Sequence, residues 1–258
     1  MKDEQISALK VKALHFPTVL GAVVLTYNIP GVTSALKFSP QVIAGIFAGT
    51  ITKWNDKTLM ADNPGVKLPG DDIVPVHRSD SSGTTFVFTD YLSKVSPDFK
   101  KKVGADTKVK WPVEGLNGNG NAGVAGFVKQ TPGTIGYIEL TYAAQNKMPY
   151  ADVKNASGAW IKASNDSVTA AAASEAKKIP EDFRVSITNA SGKDAYPIST
   201  FTYMLIPTKF ADPAKGKVMK DFLKWMLTDG QKEVAALDYA PLPAAVVAKE
   251  QKQLAMVQ

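Results

Sequence analysis

The sequence of 258 residues has no cysteine and only two histidines, His15 and His77. A chain without cysteine forms no disulfide framework and offers neither a thiol nucleophile nor a thiolate metal site. Two histidines that lie far apart in the sequence provide little for a histidine-rich metal centre or for a Ser-His catalytic pair. We therefore expect the protein to use neither a metal ion nor another cofactor.

Arginine is equally scarce, since it occurs only as Arg78 and Arg184. The net charge of +6 and the isoelectric point near 9.2 come mainly from lysines that are spread along the chain. Proteins that bind nucleic acid usually cluster arginine and lysine and interleave aromatic residues between them. No such cluster is present, so we expect no nucleic-acid partner. The basic charge either serves solubility alone or indicates an anionic partner of another kind.

Long hydrophobic runs are also missing. The longest, near residues 16–27, is shorter than a transmembrane helix and is interrupted by Pro17 and Gly21. Residues 1–5 do not resemble a signal peptide, because acidic residues appear at once. With 45% hydrophobic and 21% charged residues, the composition is that of a globular protein. We expect a soluble chain without a visible export signal.

Strand-like and helix-like segments alternate along the chain, whose length allows one large domain or two small ones. Strands are expected at residues 18–27, 72–76, 134–139 and 198–206, with a hairpin at 154–160. Helices are expected at residues 3–12, after Pro40, at 86–95, 122–129, 167–178, 214–227 and 230–237, and beyond Pro243. This alternation predicts an α/β fold with a largely parallel sheet.

One polar segment lies between a predicted strand and a predicted helix. It reads Val76-His77-Arg78-Ser79-Asp80-Ser81-Ser82-Gly83-Thr84-Thr85-Phe86. Open α/β sheets place ligands at the carboxyl ends of strands, and the first turn of a helix offers free backbone N–H groups. Arg78 supplies a planar cation, Ser82 and Thr84 add hydroxyl groups, and a glycine at position 83 lets an anion approach the backbone. With Asp80 placed to orient the guanidinium, the segment predicts an oxyanion site.

Other interpretations of this segment remain open. Ser82 could serve only as a helix cap while Arg78 and Asp80 pair at the surface. A phosphatase-like hydrolase would use His77 or Ser82, and a basic interaction protein would need no small-molecule site. The glycine spacing in residues 118–123 is similar to a dinucleotide fingerprint, but no clear strand precedes it, so a loop that starts a helix is expected there.

Several short motifs, taken together, are typical of one known family. They are Phe16-Pro17-Thr18-Val19, Tyr27-Asn28-Ile29-Pro30-Gly31, Gly45-Ile46-Phe47-Ala48-Gly49 with Lys53-Trp54-Asn55-Asp56, the segment from Arg78 to Phe86, Lys110-Trp111-Pro112, Pro132-Gly133-Thr134-Ile135-Gly136-Tyr137 and Asp238-Tyr239-Ala240-Pro241-Leu242-Pro243. On these motifs the sequence resembles the periplasmic phosphate-binding proteins of bacterial high-affinity phosphate importers. The string R-x-D-x-S-G-T is the most specific of them.

The resemblance implies a two-lobed α/β fold similar to that of type 2 periplasmic binding proteins, and a location in the periplasm. It implies a non-enzymatic protein that closes on one inorganic phosphate ion and delivers it to the membrane permease of an ABC-type phosphate transporter. In that family the matching arginine, serine, glycine and threonine bind phosphate. The carry-over therefore assigns Arg78, Ser82, Gly83 and Thr84 as ligands, and Asp80 as the residue that holds the arginine.

The resemblance also implies where the lobes divide. One lobe is expected to span residues 29–195, and the other to combine residues 1–28 with 196–258. Members of the family begin with an export signal, a G-A-G-A-T-F-P segment and a D-x-P-[ML] motif, and the sequence contains none of these. We therefore expect the chain to start just past the family's proton-accepting aspartate, with the second lobe incomplete.

Overall fold

The computed structural model describes residues 3–257. Its strands are β1 (Ala13–Asn28), β2 (Lys37–Phe38), β3 (Val74–Arg78), β4 (Leu116–Gly118), β5 (Thr134–Glu139), β6 (Asp152–Lys154), β7 (Trp160–Ile161) and β8 (Ser199–Pro207). Its α-helices are α1 (Asp3–Ser7), α2 (Pro40–Phe47), α3 (Lys57–Asp62), α4 (Gly83–Val95), α5 (Pro97–Lys102), α6 (Gly120–Gln130), α7 (Leu140–Gln145), α8 (Asn165–Glu175), α9 (Pro213–Met226), α10 (Gly230–Glu233) and α11 (Ala244–Gln253). Short 3₁₀ helices follow at Ala176–Lys178, Val234–Leu237 and Leu254–Met256. The alternation of helices and strands confirms the expected α/β class.

The longest strand, β1, has 16 residues and connects two groups of strands. Its residues 13–22 pair with β8, and its residues 23–28 pair with β5. The five-stranded sheet has the order β4-β3-β5-β1-β8, while β2, β6 and β7 form a separate small sheet. Most of β1 is buried, as its run of branched and aromatic residues predicts for a strand in the middle of a sheet.

The expectation of a largely parallel sheet is wrong. The pairs β3–β4 and β3–β5 are parallel, whereas β1 is antiparallel to both β5 and β8. Helical connections link β3, β4 and β5, and such connections allow parallel pairing. The strand β1 precedes this series, and a buried apolar run carries no signal for the direction in which its strand will pair.

The ends of several elements differ from the sequence-based expectation. Helix α1 ends at Ser7 rather than at residue 12, and β1 begins at Ala13 rather than at residue 18. Helix α4 begins at Gly83, three residues earlier than expected, because Ser82 caps it. The loop at 118–123 does follow a strand, β4, which is only three residues long, and it opens α6 as expected.

A cluster of aromatic rings packs α2, β3, α4 and β5 against one another. The ring of His77 stacks on Trp111 with centroids 4.4 Å apart, and Phe88 stacks on Tyr137 at 4.6 Å. Phe47 contacts Phe88 edge-on at 4.7 Å. Aromatic pairs in these arrangements add to the stability that their burial provides. The end of β3 and the start of α4 therefore rest on a well-packed core.

The division into two lobes at residues 28 and 196 stays a prediction. What the structure shows is that β1 changes partners between Ala22 and Val23, from β8 to β5. Residues 1, 2 and 258, which the prediction places in the second lobe, lie outside the described residues. Within residues 3–257, no helix is both long enough and apolar enough to cross a lipid bilayer.

Candidate anion-binding site

The segment singled out in the sequence joins the carboxyl end of β3 to the amino end of α4. Strand β3 ends at Arg78, and the helix begins at Gly83. At this end of a helix the first N–H groups have no partners within the helix, and the helix dipole is positive. The geometry therefore combines a guanidinium with backbone donors, as an oxyanion site requires.

Arg78 is held in place by Asp80. Arg78 Nε donates to Asp80 Oδ1 at 2.8 Å and Nη2 donates to Oδ2 at 2.6 Å, while the arginine side chain is only 8% exposed. Asp80 Oδ1 also accepts a bond from the backbone N–H of Gly120 at 3.1 Å. The hydrogen bonds from Arg78 hold the pKa of Asp80 well below its usual range. At neutral pH the aspartate is therefore ionised, and the guanidinium is fixed by a bidentate pair.

Ser82 is the N-cap residue of α4. Its Oγ accepts a hydrogen bond from the backbone N–H of Thr85 at 3.2 Å, and its own N–H donates to the carbonyl of Thr107 at 2.8 Å. The residue is 4% exposed. The helix-cap interpretation thus describes a contact that is present, while the role of Ser82 as a phosphate ligand stays a prediction.

Gly83 and Thr84 lie at the surface of a cavity of about 790 Å³. Residues of β1 and β8 also line this cavity, and Glu139 contributes from the end of β5. Arg78 and Ser82 are not among the described residues that line the cavity. Two of the four predicted ligands, Gly83 and Thr84, therefore line the cavity.

Asn121 is a residue of the site that the sequence did not reveal. Its Oδ1 accepts hydrogen bonds from Glu139 N at 3.3 Å, Arg78 Nη1 at 3.4 Å and Thr84 Oγ1 at 3.5 Å. Asn121 lies in the first turn of α6, directly after β4. The pairing of β4 with β3 brings this turn beside Arg78, and no local sequence signal predicts that pairing.

Tyr137 connects the two elements that form the site. Its hydroxyl accepts a hydrogen bond from the backbone N–H of Arg78 at 3.2 Å and shares another with Thr85 Oγ1 at 2.9 Å. Burial raises the pKa of Tyr137, so the phenol remains neutral. The same hydroxyl thus connects the end of β3 to the first turn of α4, which fixes the spacing between the guanidinium and the helix.

The histidine proposed for a hydrolase is not at the cavity. His77 is 2% exposed, stacks on Trp111, and has its Nε2 3.3 Å from the carbonyl of Val113. Burial lowers the pKa of His77 to about 4, so the ring is neutral at physiological pH. The structure therefore places this ring in the aromatic core and offers no support for it as a general base.

The burial of Glu139 affects the charge at the cavity wall. Its Oε1 is buried without a hydrogen-bond partner, and burial raises the pKa of this carboxyl. The segment 238–239 packs nearby, with Asp238 adding to the shift. A carboxyl with a raised pKa carries less negative charge near an anion than an ordinary one would.

Comparisons with known proteins identify the family. Residues 1–230 match the PBP superfamily domain. The phosphate-binding protein PstS of Xylella fastidiosa (strain Temecula1) is 46% identical over 234 residues, which are 90% of this chain and 64% of that protein. PstS of Haemophilus influenzae is 40% identical over 254 residues, which are 98% of this chain and 75% of that protein. The chain thus spans about 64% of the length of the Xylella relative.

Solved structures share the fold. A periplasmic phosphate-binding protein, PfluDING, solved with phosphate, superposes with a TM-score of 0.76 at 21% identity, over 98% of this chain and 76% of that one. A candidate phosphate ABC transporter substrate-binding protein of Clostridium perfringens gives a TM-score of 0.59 at 16% identity, over 94% and 76%. The expected type 2 periplasmic-binding-protein fold is confirmed. The chain belongs to the PstS family of phosphate-binding proteins.

Proposed function

We propose that the protein binds inorganic phosphate at the junction of β3 and α4 and delivers it to the permease of an ABC-type phosphate transporter. The observation that carries this proposal is the convergence of Arg78 Nη1 and Thr84 Oγ1 on one point at the amino end of α4. The names of the relatives, and the phosphate bound in solved structures of the same fold, support this choice of ligand.

Phosphate oxygens would accept hydrogen bonds from Arg78, from the Thr84 hydroxyl and from the backbone N–H groups at Gly83 and Thr84. The hydroxyl of Ser82 would add a further donor, and Asp80 would hold the guanidinium. At present Arg78 and Thr84 share Asn121 Oδ1 at 3.4 and 3.5 Å. Such distances are long for hydrogen bonds, so a charged oxygen would replace this acceptor readily.

Transport would require closure around the ion and no covalent step. The predicted lobes, residues 29–195 and residues 1–28 with 196–258, would move about β1, because this strand pairs with both groups of strands. The cavity between α4 and the β1–β8 pair is the space that closure would reduce. We place the protein in the periplasm, because the structurally similar PfluDING is a periplasmic protein. We assign it no catalytic activity.

The test is calorimetric titration with phosphate, and with sulfate at the same ionic strength. We expect phosphate to bind and Arg78→Ala to weaken it by about a hundredfold or more, since a buried charge-assisted donor is lost. The control is Lys53→Ala, because Lys53 pairs with Asp72 and neither residue lines the cavity. Unchanged affinity in Arg78→Ala would overturn the site assignment.

Two other outcomes would favour the alternative functions. Turnover of a chromogenic phosphate ester that is lost in Ser82→Ala would indicate a hydrolase. Salt-sensitive DNA binding that persists in Arg78→Ala would indicate a basic interaction protein. We expect neither, because His77 lies in the aromatic core and lysines are spread along the chain.

A further inference from the structure

We infer that Asn121 positions the donors of the anion site, and that its uncharged amide keeps the site open to a charged oxyanion. The inference rests on the proposed function, because it concerns the same site. It gives a role to a side chain 43 residues away from Arg78 in the sequence.

The first argument is the geometry around Asn121 Oδ1. This one oxygen accepts from Arg78 at the end of β3, from Thr84 in the first turn of α4, and from the backbone N–H of Glu139 at the end of β5. Three separate elements are therefore tied to one acceptor. Since the guanidinium and the hydroxyl both point to this oxygen, their donors already converge before an anion arrives.

The second argument is the charge balance of the site. Asp80 is ionised and forms a bidentate pair with Arg78, so the two side chains together carry no net charge. Glu139 donates its backbone N–H to Asn121, and its carboxyl, whose pKa burial raises, lines the same cavity as Thr84. The attraction for an anion thus depends on oriented donors and on the helix dipole. A carboxylate in place of the Asn121 amide would give the site a net negative charge.

The third argument is what an anion would displace. An oxyanion that accepts from Arg78 Nη1 and Thr84 Oγ1 takes over two bonds of 3.4 and 3.5 Å, while Asn121 Oδ1 retains the bond of 3.3 Å from Glu139 N. The amide is therefore a weak acceptor. It positions both donors in the empty site, and an anion replaces it as their acceptor. A carboxylate at position 121 would pair with Arg78 strongly and would not release it.

Three single variants test these statements by calorimetric titration with phosphate at fixed pH and ionic strength. Asn121→Asp keeps the shape and adds a charge, and Asn121→Leu keeps the approximate volume and removes the amide. The control, Asn119→Asp, adds the same charge to an exposed residue two positions away, whose side chain does not cap α6. Thermal unfolding followed by circular dichroism shows that each variant is folded.

We expect Asn121→Asp to bind phosphate about a hundredfold more weakly than the unaltered chain, because the added charge lies beside Arg78 in a partly buried site. Asn121→Leu is expected to lose about tenfold, since only the positioning bonds are removed. Asn119→Asp is expected to stay within about threefold, because water and salt screen an exposed charge.

A double variant separates this role from a merely structural one. Asp80→Asn with Asn121→Asp moves the carboxylate from one side of the guanidinium to the other and restores the net charge of the site. We expect this double variant to bind phosphate at least about tenfold more tightly than Asn121→Asp alone. A side chain that only supported the fold would show no such rescue by a second substitution in the site.

The inference would be overturned if Asn121→Asp bound phosphate within about threefold of Asn119→Asp, or if the double variant bound no more tightly than Asn121→Asp. If Asn121→Asp failed to fold, a folded Asn121→Leu with unchanged affinity would overturn it equally. Failure of the unaltered chain to bind phosphate would overturn the proposed function and the inference together. Normal binding by the unaltered chain, with no effect at position 121, would overturn the inference alone.

Discussion

Ser82 has two roles assigned to it, and a comparison with a second cap can separate them. Ser82 Oγ caps α4 by accepting from Thr85 N at 3.2 Å, and Ser96 Oγ caps α5 by accepting from Phe99 N at the same distance. We expect Ser82→Ala and Ser96→Ala each to lower the free energy of unfolding by about 1 kcal/mol. Urea denaturation measures this loss.

The two cap variants should differ in phosphate affinity. Only Ser82 lies in the predicted anion segment, so only Ser82→Ala is expected to weaken phosphate binding in calorimetric titration, by about tenfold for one lost hydrogen bond to an anion. If both variants bound phosphate as the unaltered chain does, Ser82 would be a cap and not a ligand.

Glu250 on α11 is a buried carboxyl that should make stability depend on pH. Both of its carboxyl oxygens are buried without hydrogen-bond partners, and burial raises its pKa from 4.5 to about 9. The folded state therefore holds a proton that the unfolded state releases at lower pH. The contribution of Glu250 to the free energy of unfolding should be largest below about pH 4.5 and should decrease as the pH rises toward 9.

Replacement of Glu250 by Gln should remove this dependence. We expect Glu250→Gln to be more stable than the unaltered chain by roughly 1–3 kcal/mol at pH 8, with the difference shrinking toward pH 5. Urea denaturation across this pH range measures the difference. Glu233→Gln is the control, since Glu233 is exposed. Parallel stability curves for Glu250→Gln and the unaltered chain would contradict the prediction.

The close packing of β4 against α6 decides where Asn121 lies. A Cβ on Gly118 would be 2.4 Å from the backbone N of Val124, so no side chain fits there without a backbone shift. Gly118→Ala should therefore destabilise the fold by about 1–3 kcal/mol. The shift of α6 in this variant would move Asn121 away from Arg78, so Gly118→Ala should also weaken phosphate binding.

A glycine inside α6 provides the control for this contact between β4 and α6. Position 126 has no atom within 4 Å of an added Cβ. Gly126→Ala should raise the free energy of unfolding by about 0.5–1 kcal/mol, as expected for a glycine inside a helix. Urea denaturation and phosphate titration of both variants test the pair. Equal effects at positions 118 and 126 would contradict a specific role for the β4–α6 contact.

Elements that are defined by local sequence were predictable. The strand β5 has the expected bounds, Thr134–Glu139, and the helix expected after Pro40 is α2. The junction at Arg78 was also found, because a strand, a polar turn and a helix start are all local signals. The direction of β1 was not predictable, since pairing direction depends on connections elsewhere in the chain.

The incomplete prediction of the site has the same physical cause. Arg78 and Asp80 are two residues apart, so a sequence pattern can show that they pair. Asn121 meets Arg78 only because β4 pairs with β3. The glycine spacing at residues 118–123 predicts the loop before α6, while the contribution of this loop to the site depends on the order of strands in the sheet. The sequence alone therefore does not predict contacts between distant segments of the chain.

For the whole molecule, β1 is the strand that pairs with both groups of strands, and the proposed closure would occur about it. Residues 23–28 hold β5, and residues 13–22 hold β8. The cavity is lined by the first turn of α4, with the predicted ligands Gly83 and Thr84, and by residues of β1 and β8. A phosphate ion at Thr84 would need closure of this space to contact both sides.

Hydrogen exchange of backbone amides distinguishes closure from local binding. With phosphate at about 100 times its Kd, we expect exchange to slow by about tenfold or more in α4 and also in β8, although β8 supplies none of the predicted ligands. Chloride at the same ionic strength should leave both segments unchanged. Phosphate added to Arg78→Ala should slow exchange by no more than about twofold, since a site weakened a hundredfold is half-occupied at that concentration. Protection confined to residues 78–86 would show that the ion binds without closure, and the two-lobe division at residues 28 and 196 would then lose its functional support.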